Sequence, residues 1–359
     1  MEGLIDRFGE GPLLLAIGLA TGALFGLAAA QSRFCLRAAT VEVAEGRLGP
    51  RLAIWLIAFF SALAFVQSAE LAGWFDHRAA RQIAATGSLS GAIIGGLMFG
   101  IGMILARGCA SRLLVLSASG NLRAFVTGLV LTLTAQAALR GVLSPAREAL
   151  AGLWTLPGGT LRDLGALIGL GSPAAAAIGL AALLGALLFG RYRRLPLADL
   201  AGGTLVGLAV ALGWLATHAV AAASFDIVEV ESITFTGPSA DTLMALVNRP
   251  DLPPSFGIGL VPGVFAGAML MALLRGEARI QRFGPDTPME RYLVGGVLMG
   301  FGSMLAGGCA VGNGLSGGSI LAVTAWVAVF FMWVGAVLTQ LVLARGGAAA
   351  GAAALGGRA

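Results

Sequence analysis

The segment GGLMFGIGMILARGCASRLLVLSASGN, residues 95–121, returns later in the chain as GGVLMGFGSMLAGGCAVGNGLSGGS, residues 295–319. The two copies share a glycine frame and a cysteine at a constant offset of 200 positions. The identical positions of the first copy are Gly95, Gly96, Gly100, Gly102, Leu105, Ala106, Gly108, Cys109 and Ala110. A duplicated segment of this kind indicates two related halves with a site where the halves meet.

The composition indicates that the chain folds in a membrane and not in water. Hydrophobic residues make up 57% of its 359 residues, charged residues make up 11%, and the mean hydropathy is +0.89. Several apolar stretches reach the ~20 residues that are needed to cross a bilayer. The sequence therefore predicts a multi-pass membrane protein.

The basic residues indicate membrane orientation and not nucleic-acid binding. All 23 are arginine, and they lie in short clusters between the apolar stretches instead of along one face. That distribution is typical of the positive-inside rule, so no nucleic acid is expected as a partner.

Nine candidate spans follow from the apolar runs between charge clusters. They cover residues 12–30, 50–71, 89–106, 123–143, 172–190, 198–218, 256–275, 289–306 and 319–344. We therefore predict an all-α polytopic membrane protein in which residues 1–359 form a single transmembrane domain.

Alternate loops differ in their arginine content. One side of the membrane receives Arg7, Arg78, Arg81, Arg140, Arg147, Arg162 and Arg249, and the other side receives all the remaining arginines. The positive-inside rule then places the N-terminus outside and the C-terminus in the cytoplasm.

The number of spans predicts two inverted-topology repeats. If residues 11–143 form a first repeat and residues 198–344 a second, the single connector helix at 172–190 makes the two repeats enter the membrane from opposite sides. Aligning Gly22 and Gly26 with Gly203 and Gly207 places Ala216 at the position that Cys35 occupies in the first repeat.

The repeated glycines have two possible explanations. Spacings such as Gly96 to Gly100 and Gly296 to Gly300 suit close packing of transmembrane helices. The higher density after Cys309 favours broken or re-entrant segments, whose free backbone amides can bind anions.

Every cysteine lies at the end of an apolar stretch. Cys35 and Cys109 have arginines nearby, whereas Cys309 follows glycine. The odd number and the absence of any C-x-x-C pair argue against a disulfide framework, and the isolated His77 and His218 give no spacing typical of metal ligands. No metal and no cofactor are expected.

The three cysteine motifs resemble those of the YeeE/YedE sulfur-transport membrane proteins. The resemblance rests on FCLRAA around Cys35, GIGMILARGCAS around Cys109 and GFGSMLAGGCAVGNGLSG around Cys309, and it extends over nearly the whole length. It implies uptake of thiosulfate across the bacterial cytoplasmic (inner) membrane, in which the three cysteines take part. It also implies a cytoplasmic sulfur-carrier protein of the TusA type as a partner.

A translocation site can be composed from these motifs. Thiosulfate carries two charges, three hard oxygens and one soft terminal sulfur, and it needs partners inside a bilayer. Thiols suit the sulfur, whereas arginines and free amides suit the oxygens. The candidate residues are Cys35, Cys109, Cys309, Arg37, Arg107, Gly108, Gly308 and Asn313. We expect Cys309 nearer the outer mouth and the other two thiols nearer the inner one.

Two other functions remain open from the sequence. A membrane sulfurtransferase or thiol oxidoreductase would form a persulfide or disulfide on one cysteine. A permease for an unrelated small solute would keep the cysteines as small apolar residues. Transport of thiosulfate or a related anion is preferred, and a membrane-embedded transporter is expected to contact lipid rather than to act as an enzyme.

Overall fold

The computed structural model describes residues 2–248, 254–284 and 289–356. Arg249 and Arg358, which entered the arginine comparison, lie outside the described residues. The α-helices in the described part are α1 Glu2–Phe8, α2 Glu10–Ser32, α3 Leu36–Ala44, α4 Pro50–Leu71, α5 Arg81–Ala84, α6 Leu89–Leu105, α7 Ala110–Ala118, α8 Leu122–Arg140, α9 Ser144–Gly152, α10 Leu164–Ile168, α11 Ser172–Tyr192, α12 Leu197–Ala223, α13 Thr236–Asn248, α14 Phe256–Leu274, α15 Met289–Leu305 and α16 Val323–Gly356.

Short elements connect these helices. Two 3-10 turns cover His77–Ala79 and Thr160–Arg162, and a π-helix covers Gly312–Gly317. The strands β1 Gly87–Ser88 and β2 Thr155–Leu156 pair antiparallel over two residues. The all-α prediction is confirmed, because this short pairing is the one sheet in the described residues.

The predicted spans agree closely with the helices. Eight stretches of the described residues are long and apolar enough to cross a membrane, two of which combine a long helix with the short one that follows it. The remaining predicted span, 289–306, corresponds to α15, a helix of 17 residues. The last span begins at Val323 and not at 319, because Leu321 adopts a left-handed φ of 58° and interrupts the helix there.

The two halves pack in corresponding ways. Helix α2 lies against α14 as α12 lies against α4, and α6 lies against α16 as α15 lies against α8. Helix α3 contacts α4 and α16, and α13 contacts α14 and α8. These pairings match α2, α3, α4, α6 and α8 with α12, α13, α14, α15 and α16. They agree with the predicted repeats, while the inversion across the bilayer stays a prediction.

The repeated glycines before each cysteine lie at a helix crossing. A Cβ built on Gly102 would lie 2.7 Å from the carbonyl oxygen of Gly295, and one built on Gly302 would lie 2.8 Å from that of Gly95. Helices α6 and α15 therefore meet backbone to backbone, and glycine is required because any side chain would separate them. Close packing is the explanation for these glycines.

The alignment that gave Ala216 as the counterpart of Cys35 is wrong. Helix α12 continues unbroken through Ala216 to Ala223, and the chain then returns in extended form before α13. Ser239 N–H donates to the Phe235 carbonyl as Ala39 N–H donates to that of Cys35, so Phe235 is the counterpart. The sequence alignment failed because it ignored the long return segment between α12 and α13.

Candidate functional site

Each thiol lies where a long helix breaks and a short helix begins. Cys35 precedes α3 and Cys109 precedes α7, and Cys309 precedes the helical turn that leads into the π-helix. All three cysteines are free, and their exposed fractions are 8%, 1% and 1%. The broken-helix prediction is confirmed for the two repeated segments, and the structure adds a third break at Cys35.

The breaks share one backbone conformation. The residue two positions before each cysteine is left-handed, with φ of 53° at Arg33, 54° at Arg107 and 77° at Gly307. This conformation costs an ordinary L-residue about 1–2 kcal/mol and costs glycine little. Arginine at 107 bears this cost, whereas glycine at 307 does not. The exchange of Arg107 for Gly307 between the copies therefore changes the conformational strain at the break as well as its charge.

The thiols interact with the first turns of the helices that follow them. The Gly312 N–H donates to Cys309 Sγ at 3.5 Å. Backbone groups of Ala38 and Arg112, which stand at the same spacing of three residues, interact with Cys35 and Cys109. Helix N-termini carry partial positive charge, so an anion beside any of these thiols would meet favourable dipoles.

Two thiols meet in the first half. The side chains of Cys35 and Cys109 interact with each other, and Cys109 Sγ lies 3.3 Å from the Ser111 hydroxyl. The guanidinium groups of Arg112 and Arg37 both act electrostatically on Cys35. This first-half site therefore combines two soft sulfur atoms with positive charge.

The second half places a hydroxyl beside its thiol. Cys309 Sγ lies 3.8 Å from Thr234 Oγ1, in the extended segment that precedes α13. Ser316 Oγ donates to the Ile233 carbonyl at 2.7 Å, and Ser232 Oγ donates to the Val210 carbonyl at 2.7 Å. The segment beside Thr234 is thereby fixed to the π-helix and to α12.

A model of the family described as sulphur transport matches residues 31–338, which is well over half of the chain. The chain belongs to the sulphur transport family. All three cysteines and the breaks beside them lie within the matched range.

Two relatives of this sulphur transport protein carry the name thiosulfate transporter TsuA. The Escherichia coli protein is 33% identical over 131 residues, which cover 36% of this chain and 35% of that protein. The Spirochaeta thermophila protein is 27% identical over 337 residues, which cover 89% of this chain and 96% of that protein. The alignment with the first relative thus spans about a third of either protein, whereas the second covers nearly all of both.

The other predicted site residues of the sulphur transport protein have different surroundings. Arg37 is half-buried and its Nε has no hydrogen-bond partner among the described residues, whereas Arg107 is exposed. Asn313 Nδ2 donates to the carbonyl oxygens of Gly308, at 2.7 Å, and Ala306, at 3.3 Å. The Asn313 side chain therefore bridges the break at Cys309, and the Gly308 carbonyl is one of the two groups that accept its hydrogen bonds. Gly108 precedes Cys109 with room for a Cβ in ordinary contact with Leu113.

Several residues that sequence reasoning missed hold the π-helix. Gln82 Nε2 donates to the Gly312 carbonyl at 3.3 Å, Gln67 Nε2 to the Ser319 carbonyl at 2.8 Å, and Trp214 Nε1 to the Ser316 carbonyl at 3.2 Å. A π-helix shifts backbone pairing by one residue and leaves carbonyls that need such donors. Applying the constant offset of 200 to Cys35 would have indicated the segment around Phe235. No feature of the sequence marked Gln67 and Gln82 as hydrogen-bond donors.

A buried histidine fixes the loops beside the second half. His77 Nδ1 lies 2.7 Å from Glu70 Oε1, and its Nε2 lies 2.9 Å from Asp163 Oδ2. Burial lowers the pKa of His77, but the hydrogen bonds to Glu70 and Asp163 outweigh it and raise the pKa to about 9. The Leu164 N–H donates to the Leu321 carbonyl at 2.9 Å, so this cluster, which we call the histidine clamp, is joined to the end of the glycine-rich segment.

An apolar cavity of about 220 Å³ adjoins the π-helix. Its walls come from α4 and α16, with Asn313, Gly314 and Gly318 on the third side. No group of three or more His, Cys, Asp or Glu side chains suited to a metal ion occurs in the described part of the chain.

Proposed function

We propose that this protein carries thiosulfate, or a closely related sulfur oxyanion, across the cytoplasmic membrane along a path lined by Cys35, Cys109 and Cys309. The observation that carries the proposal is the common setting of the three thiols. Each is buried at the N-terminal end of a broken helix inside a chain of the sulphur transport family. The name of the two relatives supports thiosulfate as the substrate.

The path supplies partners for both ends of the anion. Helix N-termini and the guanidinium groups of Arg37 and Arg112 stabilise the charged oxygens, which replaces part of the water that the anion loses. A thiol hydrogen bonds weakly to the soft terminal sulfur. Weak binding at successive thiols permits transfer from one to the next, since a tightly held ion would not leave.

The arginine distribution orients the path in the membrane and so gives the order of the three thiols along it. With Arg37, Arg107 and Arg112 on the cytoplasmic side, the first-half site faces the cytoplasm and Cys309 faces the outer mouth. Thiosulfate would meet Cys309 first and the Cys35–Cys109 pair last. A cytoplasmic sulfur carrier of the TusA type would then receive it beside the arginines.

The test is uptake of radiolabelled thiosulfate by proteoliposomes that contain the purified protein. Cys109→Ala and Cys309→Ala are each expected to lower uptake by about tenfold or more, because each removes a polar partner of a desolvated ion. Thr132→Ala is the matched control, since it removes a buried hydroxyl that bonds only within α8. Unchanged uptake by both cysteine variants would contradict the proposal.

The neighbouring thiols Cys35 and Cys109 favour one second candidate function, a sulfurtransferase. In that reaction a cysteine thiolate would attack the terminal sulfur of thiosulfate, form a persulfide and release sulfite. Mass spectrometry of protein recovered during turnover would show the extra sulfur atom on Cys35 or Cys109, together with sulfite in equal amount. Recovery of unmodified cysteines with intact thiosulfate inside the vesicles supports transport instead.

A further inference from the structure

The second half has lost one thiol from the shared arrangement. Cys35 and Phe235 occupy corresponding positions before α3 and α13, and each carbonyl accepts from the N–H four residues later. Phe235 is 1% exposed and packs against Phe25 with ring centroids 5.1 Å apart. The position of the missing thiol is therefore filled by the hydrophobic core and cannot contact a substrate.

The residue before Phe235 reaches the remaining thiol. Thr234 Oγ1 lies 3.8 Å from Cys309 Sγ, which is the one hydrogen bond of this hydroxyl among the described residues. A hydrogen bond to sulfur at this distance is weak, so the Thr234 O–H can still donate a stronger hydrogen bond to an oxygen atom. Thr234 is also half-buried, whereas Cys309 is fully buried, so the hydroxyl is the more accessible of the two groups.

The surrounding backbone is shaped to accommodate Thr234. A Cβ on Gly312 would collide with the Thr234 side chain, so glycine at 312 leaves the space that the threonine occupies. The two residues that precede Thr234 are fixed by hydrogen bonds, since Ser232 Oγ donates to the Val210 carbonyl and Ser316 Oγ donates to the Ile233 carbonyl. The backbone that leads to Thr234 is thus held in place beside Cys309.

We propose that Thr234 contacts the substrate and sets its specificity: its hydroxyl donates to a sulfonate oxygen of the sulfur oxyanion while Cys309 contacts the terminal sulfur. The inference rests on the proposed function and deepens it. A hydroxyl is a stronger donor than a thiol and suits a hard oxygen, so the Thr234–Cys309 pair distinguishes the two ends of thiosulfate.

Kinetics of thiosulfate uptake by proteoliposomes test the proposal. Thr234→Val keeps the shape and removes the hydroxyl, and it is expected to raise KM about tenfold, as loss of one hydrogen bond to a charged group predicts. Thr234→Ser keeps a hydroxyl and is expected to stay within about twofold of the wild type. Thr236→Val is the matched control, since the Thr236 hydroxyl is buried without a partner in the described residues.

A second measurement does not depend on transport rates. In Thr234→Cys the new thiol faces Cys309, and oxidation by copper phenanthroline replaces the two S–H bonds with one S–S bond, the two electrons passing to copper(II) and the two protons to solvent. Saturating thiosulfate is expected to slow this oxidation, measured by peptide mass spectrometry, more than it slows the oxidation of a soluble dithiol in the same solution, because the anion occupies the space between the two groups. The soluble dithiol corrects for the copper that thiosulfate itself binds and reduces. An oxidation rate that thiosulfate leaves unchanged overturns the proposal.

The outcomes separate this inference from the proposed function. If Cys309→Ala abolishes uptake while Thr234→Val keeps the wild-type KM, the inference on Thr234 is wrong and the transport function stands. Wild-type vesicles that take up no thiosulfate overturn both. A raised KM in Thr234→Val, with wild-type behaviour in Thr236→Val, supports the inference.

Discussion

The first-half site places Cys35 against Cys109, whereas the second-half site places Thr234 against Cys309. The backbone around both is nearly the same, with a left-handed residue two positions before the thiol and a short helix after it. The sites differ in the residues that approach from the neighbouring broken segment. A shared scaffold thus provides two chemical environments through a small number of side-chain exchanges.

The supports of the two sites differ as well. The first-half site is flanked by Arg37 and Arg112. The second-half site lies beside the π-helix, where Gln82 and Trp214 donate to backbone carbonyls, and Gln67 donates to the Ser319 carbonyl just after it. Positive charge at one end and a rigidly held backbone at the other are consistent with different tasks for the two sites.

The largest effect is expected where the halves touch. Gly102→Ala and Gly302→Ala are each expected to lower the free energy of unfolding by at least about 3 kcal/mol, because the new methyl group would press on the opposite helix backbone. Thermal unfolding in detergent micelles measures the effect. Gly128→Ala is the control, since its Cβ would meet open space. Unequal losses in the two variants would show that the crossing is less symmetric than the contacts indicate.

The histidine clamp joins the end of α4 to the segment that contacts Leu321, and its effect depends on pH. The pKa of His77 is raised to about 9, so its stabilisation is fully present below the unfolded value near 6.5 and is lost as the pH rises through about 9. The loss is expected to be up to about 3 kcal/mol. Melting temperatures between pH 6 and pH 10 would show it, and His77→Gln should flatten that dependence. An equally steep dependence in His77→Gln would assign the effect to another group.

The short helices α3 and α13 differ at their first residue, where only α13 has a buried hydroxyl. Leu36 and Thr236 are counterparts and both are buried, but the Thr236 hydroxyl has no partner among the described residues. Thr236→Val is expected to raise the free energy of unfolding by about 1–2 kcal/mol, since it removes an unsatisfied polar group. Denaturant titration of the purified protein measures the change. A loss of stability would mean that the hydroxyl has a partner such as bound water.

The smallest effect concerns the left-handed residues. Arg107→Gly is expected to raise the free energy of unfolding by about 1 kcal/mol, and Gly307→Ala to lower it by about the same amount, because only glycine adopts this φ without strain. Differential scanning calorimetry would resolve both shifts. Equal stability of the two variants and the wild type would indicate that the backbone relaxes at these breaks.

The sequence was sufficient for the long helices because apolar runs and charge clusters mark them directly. Helix α4 has the predicted bounds, 50–71. The glycine-rich repeated segments indicated the breaks at Cys109 and Cys309, whereas residues 27–45 contain no glycine and gave no such signal for the break at Cys35. The extended segment before α13 was not predictable from hydropathy, since its polar residues resemble those of a surface loop. Its contacts with the π-helix depend on hydrogen bonds between residues far apart in the chain, such as Ser316 to Ile233.

The neighbouring thiols Cys35 and Cys109 have a consequence for poisoning by soft metals. Two sulfur atoms at one point can chelate a thiophilic cation or a trivalent arsenical, which a single thiol holds far less firmly. Cys309 has a hydroxyl as its neighbour instead of a second thiol, so it cannot chelate a soft metal in this way. The arrangement that we propose for receiving a soft anion would therefore make the first half the vulnerable end of the molecule.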